Sequence, residues 1–190
     1  MNTEHIKKEL EKQLDSKRYQ HTLGVAYTAA SLAMRYEMDI NQAFLAGLLH
    51  DCAKSMTHEE RLSYCKKHDI TVTEAEQKNP SLLHAKVGSD QVFRKYGIKD
   101  AEIANAVRYH TTGHPDMTML EKIIFIADYI EPLRDHDKEL SEIRHMSFMN
   151  IDVALEHILK NTLEYLNSSK KEIDPMTALT YSFYIENTSY

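Results

Sequence analysis

A chain of 190 residues is long enough for a continuous core and short for two, so a single domain spanning 1–190 is expected. Its 42% apolar and 27% charged residues are those of an ordinary globular protein, and a net charge of −6 argues against a nucleic-acid-binding face. No apolar run nears the roughly 20 residues that span a bilayer. The polar start Met1-Asn2-Thr3-Glu4-His5-Ile6 has no signal-peptide core, so the expected location is the cytoplasm, with no membrane partner.

In chain order, Ile6, Leu10 and Leu14 predict an amphipathic first helix over 3–15, and Val25, Ala26, Ala29, Leu32, Ala33 and Tyr36 predict a second over 16–38. Asp39 or Asn41 opens a third, whose apolar stretch Ala43–Leu49 runs into His50-Asp51. Thr57-x-x-Glu60 is a capping box opening a polar helix to His68, and Thr73-x-x-Glu76 opens a short turn. Asn79-Pro80-Ser81 breaks the chain before a helix from Leu82 to Tyr96 that stops at Gly97. Asp100 starts the next, to His110. Thr118-x-x-Glu121 begins a buried one ending near Ile130-Glu131-Pro132. Residues 133–142 are read as a charged loop, 151–166 as a helix, and Asp174-Pro175 as the start of the last. With only five Gly and four Pro for turns, the expectation is an all-α bundle of about nine helices.

Cys52 and Cys65 are the two cysteines, and their spacing excludes a zinc ribbon. Cys52 is read as a small buried residue rather than a nucleophile. Of the eleven histidines, His5, His58, His68, His136, His145 and His157 lie in charged surroundings and are assigned to the surface, as is the Lys86 charge.

Polar groups interrupt apolar helical faces at His21, His50-Asp51, His84, His110 and Asp128. Taken singly, a buried histidine is usually just hydrogen-bonded. An Asp within Ile-Ile-Phe-Ile-Ala-Asp128-Tyr-Ile is harder to leave without a cation. His21, His50, Asp51 and Asp128 together make a mixed N/O donor set. Such a set suits an octahedral first-row ion, iron, manganese or cobalt, better than a closed structural zinc. Adjacent helical residues point about 100° apart, so His50 and Asp51 share an ion only between their directions or where the helix bends. Gly47 and Gly24 leave room beside two of the ligands.

His21…His50-Asp51…Asp128 resembles the H…HD…D pattern of HD-domain phosphohydrolases. The flanking text is more specific: Arg18-Tyr19-x-His21-Thr22-x-Gly24-Val25, His50-Asp51-x-Ala53-Lys54, His84-Ala85-x-Val87-Gly88, Arg108-Tyr109-His110-Thr111-Thr112-Gly113 and Ala127-Asp128-Tyr129-Ile130-Glu131-Pro132-x-Arg134. From about residue 3 to 185 the chain is similar to the YqeK family of bacterial HD-domain hydrolases. The resemblance implies symmetrical hydrolysis of diadenosine tetraphosphate to two ADP, with iron as the usual metal.

On that reading His21, His50, Asp51 and Asp128 hold the metal, and Asp51, His84 and His110 act in catalysis. His84 and His110 serve either as protonated donors or as ligands of a second ion. Arg18, Lys54, His84, Arg108, His110, Thr111, Asp128 and Arg134 bind substrate, Arg being suited to bidentate phosphate contacts. Tyr109 and Tyr129 are candidates for stacking on a base, and Glu131 for a base or a partner to a ligand. The rivals are an HD-type phosphohydrolase of another nucleotide and a helical nucleotide-binding sensor with little turnover. A helical storage protein is disfavoured, because its Glu-x-x-His pairs are absent from the candidate set. The apolar faces leave room for a homodimer.

Overall fold

The computed structural model describes residues 2–135, 139–169 and 173–187. Among them are eleven α-helices, one 3-10 turn and no strand. The helices are α1 (Thr3–Gln13), α2 (Ser16–Arg35), α3 (Ile40–Leu49), α4 (His58–Lys67), α5 (Glu74–Lys78), α6 (Leu83–Arg94), α7 (Ala101–Tyr109), α8 (Met119–Ile130), α9 (Leu140–Met149), α10 (Ile151–Ser168) and α11 (Pro175–Asn187), with the 3-10 turn at Pro80–Leu82 before α6.

The starts follow from capping chemistry. Side chains of Asn2, Asp15, Asp39 and Asp100 accept from the first free backbone N–H groups of α1, α2, α3 and α7. All three Thr-x-x-Glu patterns form complete capping boxes, at α4, α5 and α8. Gly97 takes φ +67 where α6 gives way to the next segment.

Two helices exceed the expected nine. One is the five-residue α5. The other is α9, which occupies part of the stretch read as a charged loop; it starts at Leu140 and buries Leu140, Ile143 and Ser147. His136, Asp137 and Lys138 lie outside the described residues.

The main core runs from Ile6 and Leu10 through α2, α3, α7, α8 and α10 to Tyr184. A satellite of Ala53, Cys65, Leu83 and Val87 lies under α4 and α6. α2 packs on α3 and α8, and α7 on α3, α6 and α8. Gly47 lets α3 and α2 touch backbone to backbone, since a Cβ there would lie 2.9 Å from Ala26 Cα. No helix among the described residues is long and apolar enough to cross a membrane.

His5, His58 and His145 are exposed as expected. His68 is half-buried, its ring 4.2 Å from that of Tyr64, and His157 is half-buried on α10. Lys86 is not a free surface charge. Its ammonium pairs at 2.7 Å with buried Glu76 and donates to Thr71 O.

Candidate metal centre

Helix α3 ends at Leu49, and His50–Ser55 form successive turns. Cys52 N–H donates to Leu49 O and Lys54 N–H to Asp51 O. The helix therefore stops at the pair that a straight helix would have splayed apart. Both side chains then face His21 of α2, and the ligand atoms of His21, His50 and Asp51 all lie within 4.8 Å of one another. The end of α8 supplies the fourth group: Asp128 Oδ1 is 3.1 Å from His21 Nε2 and 3.9 Å from His50 Nε2.

Each imidazole is held by its Nδ1. His50 Nδ1 donates to Gly47 O at 2.7 Å, His84 Nδ1 to Ser81 O at 2.6 Å, and His110 Nδ1 to Val107 O at 2.7 Å. In all three the acceptor is the carbonyl three residues back, near the end of α3 or α7 or in the 3-10 turn before α6. His21 Nδ1 instead faces Glu131 Oε1 at 3.0 Å. A neutral ring that gives its proton through Nδ1 turns the Nε2 lone pair inward. Four such lone pairs converge.

His21 Nε2, His50 Nε2 and Asp51 Oδ1 are buried and make no hydrogen bond among the described residues. Buried polar atoms without partners are costly, and a divalent cation satisfies all three together. The residues thus fit a divalent metal, which His21, His50 and Asp51, with Asp128 beside them, would hold. Asp51 Oδ1 also lies 3.2 Å from His84 Nε2 and 3.5 Å from His110 Nε2, a second trio sharing one carboxylate with the first.

Cations ring the cluster. Arg18 donates to Asp51 Oδ2 at 2.8 Å, and Arg134 to Asp128 Oδ1 at 2.7 Å. Lys54 Nζ is 3.0 Å from His84 Nε2 and 3.5 Å from Asp51 Oδ1. Thr111 Oγ1 sits 3.3 Å and 3.2 Å from the Nε2 atoms of His84 and His110.

Burial outweighs the neighbouring carboxylates at His50 and pushes its imidazole down to about 4. Burial, followed by the Lys54 charge, pushes His84 down to about 4. That shift favours the neutral form of His84. Burial alone would raise Asp51 and Asp128, but the imidazoles around both, and Arg134 beside Asp128, hold both carboxyls below the ordinary range. At His21 burial acts downward, and Asp128 and Glu131 outweigh it, so this ring lies above its ordinary value. Burial lifts the Cys52 thiol to about 12, in keeping with an inert buried residue.

A cleft of about 570 Å³ opens beside the cluster, lined by Arg18, His21, Glu131 and Arg134 among others. A second cavity of about 180 Å³, walled by His110, Phe125, Asp128, Tyr129 and Ile158, shares Arg134 with the first. Arg108 is not brought into the cluster. It is exposed, over the Tyr109 ring, and lines a separate hollow of about 170 Å³ with Tyr109, Thr111 and Thr112.

Residues that only the fold brings in complete the site. Arg144 donates to the carbonyls of Ile130, Glu131 and Arg134 and so holds the turn that carries Arg134. Buried Arg61 joins the carbonyls of Ala53, Lys54 and Pro80, tying the Lys54 segment to the turn before His84. An arginine near apolar helices was their only sign in the sequence.

Residues 18–133 match the family model described as HD domain. The chain belongs to the HD-domain family. This HD-domain chain is 37% identical over 188 residues to the "Bis(5'-nucleosyl)-tetraphosphatase, symmetrical" of Bacillus subtilis strain 168, covering 99% of this chain and all of that one. A protein of the same description from Staphylococcus aureus is 35% identical, with 96% of each chain covered. A crystal structure from Clostridium acetobutylicum, described as a predicted HD superfamily hydrolase involved in NAD metabolism, superposes with a TM-score of 0.95 at 34% identity over 99% of both chains. His21, His50, Asp51 and Asp128 all fall within the matched span.

Proposed function

We propose that this chain hydrolyses diadenosine tetraphosphate symmetrically to two ADP, using a divalent metal held by His21, His50, Asp51 and Asp128. The observation that carries the reading is the convergence of inward-facing Nε2 atoms with two carboxylates, fenced by Arg18, Lys54 and Arg134. Full-length similarity to proteins described as symmetrical tetraphosphatases supports the substrate. The mixed N/O donor set supports iron, with manganese or cobalt as alternatives.

The overall step is a hydrolysis. A water oxygen bonds to one of the two central phosphorus atoms, the central P–O–P bond breaks, and the bridging oxygen leaves with the other ADP. A bound divalent ion supplies Lewis acidity, acidifying the attacking water and offsetting phosphate charge. Arg18 and Arg134 stand on either side of the carboxylates and stabilise non-bridging oxygens as charge builds on them. Arg134 borders both cavities, which suits a linear substrate with a nucleoside at each end. The Nε2 atoms of His84 and His110 are placed to take a proton, and the Thr111 hydroxyl can donate to either. Arg108, outside the cluster, is assigned to the outer part of the substrate.

A second ion is the specific rival for the trio of Asp51, His84 and His110. Metal analysis by plasma mass spectrometry separates the two: one ion per chain supports the proton-transfer roles, and two support the rival. The function itself is tested by ion-exchange chromatography after incubating metal-loaded protein with diadenosine tetraphosphate. ADP alone, abolished by His50→Ala or Asp51→Ala, is expected. ATP plus AMP would move the attack to another phosphorus. Binding without turnover would leave a nucleotide sensor.

A further inference from the structure

His21 is held differently from the other three histidines of the site. His50 and His110 cap α3 and α7, where carbonyls are free, and His84 stands one turn after the 3-10 turn. His21 lies inside α2, whose carbonyls are engaged along the helix. Its Nδ1 meets a side chain from another element instead of a carbonyl of its own helix.

That partner is Glu131. It caps the C-terminal end of α8 with φ −52 and ψ 152, the extended conformation favoured before Pro132. Its side chain turns back towards α2. Only 1% exposed, it places Oε1 3.0 Å from His21 Nδ1, while Oε2 accepts the Leu133 N–H at 2.8 Å. Asp128, one turn earlier on α8, meets the other nitrogen of the same ring. The imidazole is thus clamped between two carboxylates of one helix end. Gly24, one turn beyond His21 on α2, makes room for this: a Cβ there would stand 2.5 Å from Glu131 Oε2 and 3.2 Å from its Cδ.

We propose that Glu131 is a positioning residue that fixes the His21 ring with Nε2 directed at the metal, and that Gly24 is glycine because a side chain would displace the Glu131 carboxylate. The proposal rests on His21 being a metal ligand. Carboxylate–imidazole–metal relays of this kind orient the ring and raise its basicity, and their loss weakens metal binding by roughly 10- to 100-fold.

The test is a titration of metal-stripped protein with Mn²⁺, beside thermal melting of the same metal-free samples. Glu131→Gln is nearly isosteric, yet its single oxygen can accept from His21 or from Leu133 but not both. It should bind Mn²⁺ on the order of 10-fold or more weaker while melting close to wild type. Gly24→Ala should weaken binding in the same direction, and add nothing in a Glu131→Ala background where no carboxylate remains to displace. His21→Ala tells the two layers apart. If His21→Ala loses metal and Glu131→Gln does not, the positioning role is overturned and the metal site stands. If His21→Ala binds like wild type, the ligand assignment falls and the proposal with it.

Discussion

Arg18 Nη1 donates to Asp51 Oδ2 at 2.8 Å, joining the start of α2 to the turn after α3 across thirty-three residues. Asp51 is 2% exposed and Arg18 is half-exposed, so the guanidinium closes the solvent side of the carboxylate and has donors left for an anion. Arg18→Ala should lower kcat/KM by roughly 10- to 100-fold, the worth of a charge-assisted hydrogen bond. Arg18→Lys should recover only part, since an ammonium cannot serve carboxylate and phosphate in the same plane. Steady-state kinetics on diadenosine tetraphosphate measures both.

Arg144 touches no ligand atom, yet it binds three carbonyls around the turn that carries Glu131 and Arg134. Arg144→Ala should cost about 1–3 kcal/mol in urea unfolding, because buried acceptors lose their donor. It should raise KM more than it weakens the metal, since Arg134 is the group set loose.

Gly47→Ala would place a Cβ 2.9 Å from Ala26 Cα, a backbone atom with nowhere to rotate. Forcing α2 and α3 apart should destabilise the fold by about 1–3 kcal/mol. It should also weaken metal binding, because Gly47 O holds His50. Denaturant melts with and without metal separate the two effects.

Metal-free protein should lose stability as pH falls from about 6.5 to about 4. His50 and His84 are pushed down to about 4 in the fold, so over that window the unfolded chain binds protons that the folded chain does not. Stability then rises with pH. His21 works the other way, since its raised value favours the folded state at low pH, but one group opposes two. Below the ordinary carboxylate range the depressed Asp51 and Asp128 add to the loss. Urea midpoints at pH 4.5 and 7 measure the slope, and His84→Gln should flatten it.

The candidate donors were legible because each breaks an apolar helical face: His50-Asp51 after Leu48-Leu49, and Asp128 after Ile126-Ala127. The three Thr-x-x-Glu caps were legible because their bonds are local. Arg61, Arg144 and the seat of Glu131 were not, because their partners are carbonyls or a ring brought near only by helix packing. The ninth helix was hidden by the charges before Leu140, and its buried residues Leu140, Ile143 and Ser147 are few. Arg108 shows the opposite limit. It stands two residues before His110, and the turn of α7 that buries the histidine carries the arginine outward.

Water is expected to attack at the middle of the tetraphosphate within this site. Turnover in ¹⁸O-labelled water, followed by mass spectrometry of the products, tests it most directly. ADP is the expected product, with one labelled oxygen for every two ADP, carried on the terminal phosphate, and no product from Asp51→Ala. Label recovered in ATP or AMP, or label in ADP at an undiminished rate in Asp51→Ala, would contradict it.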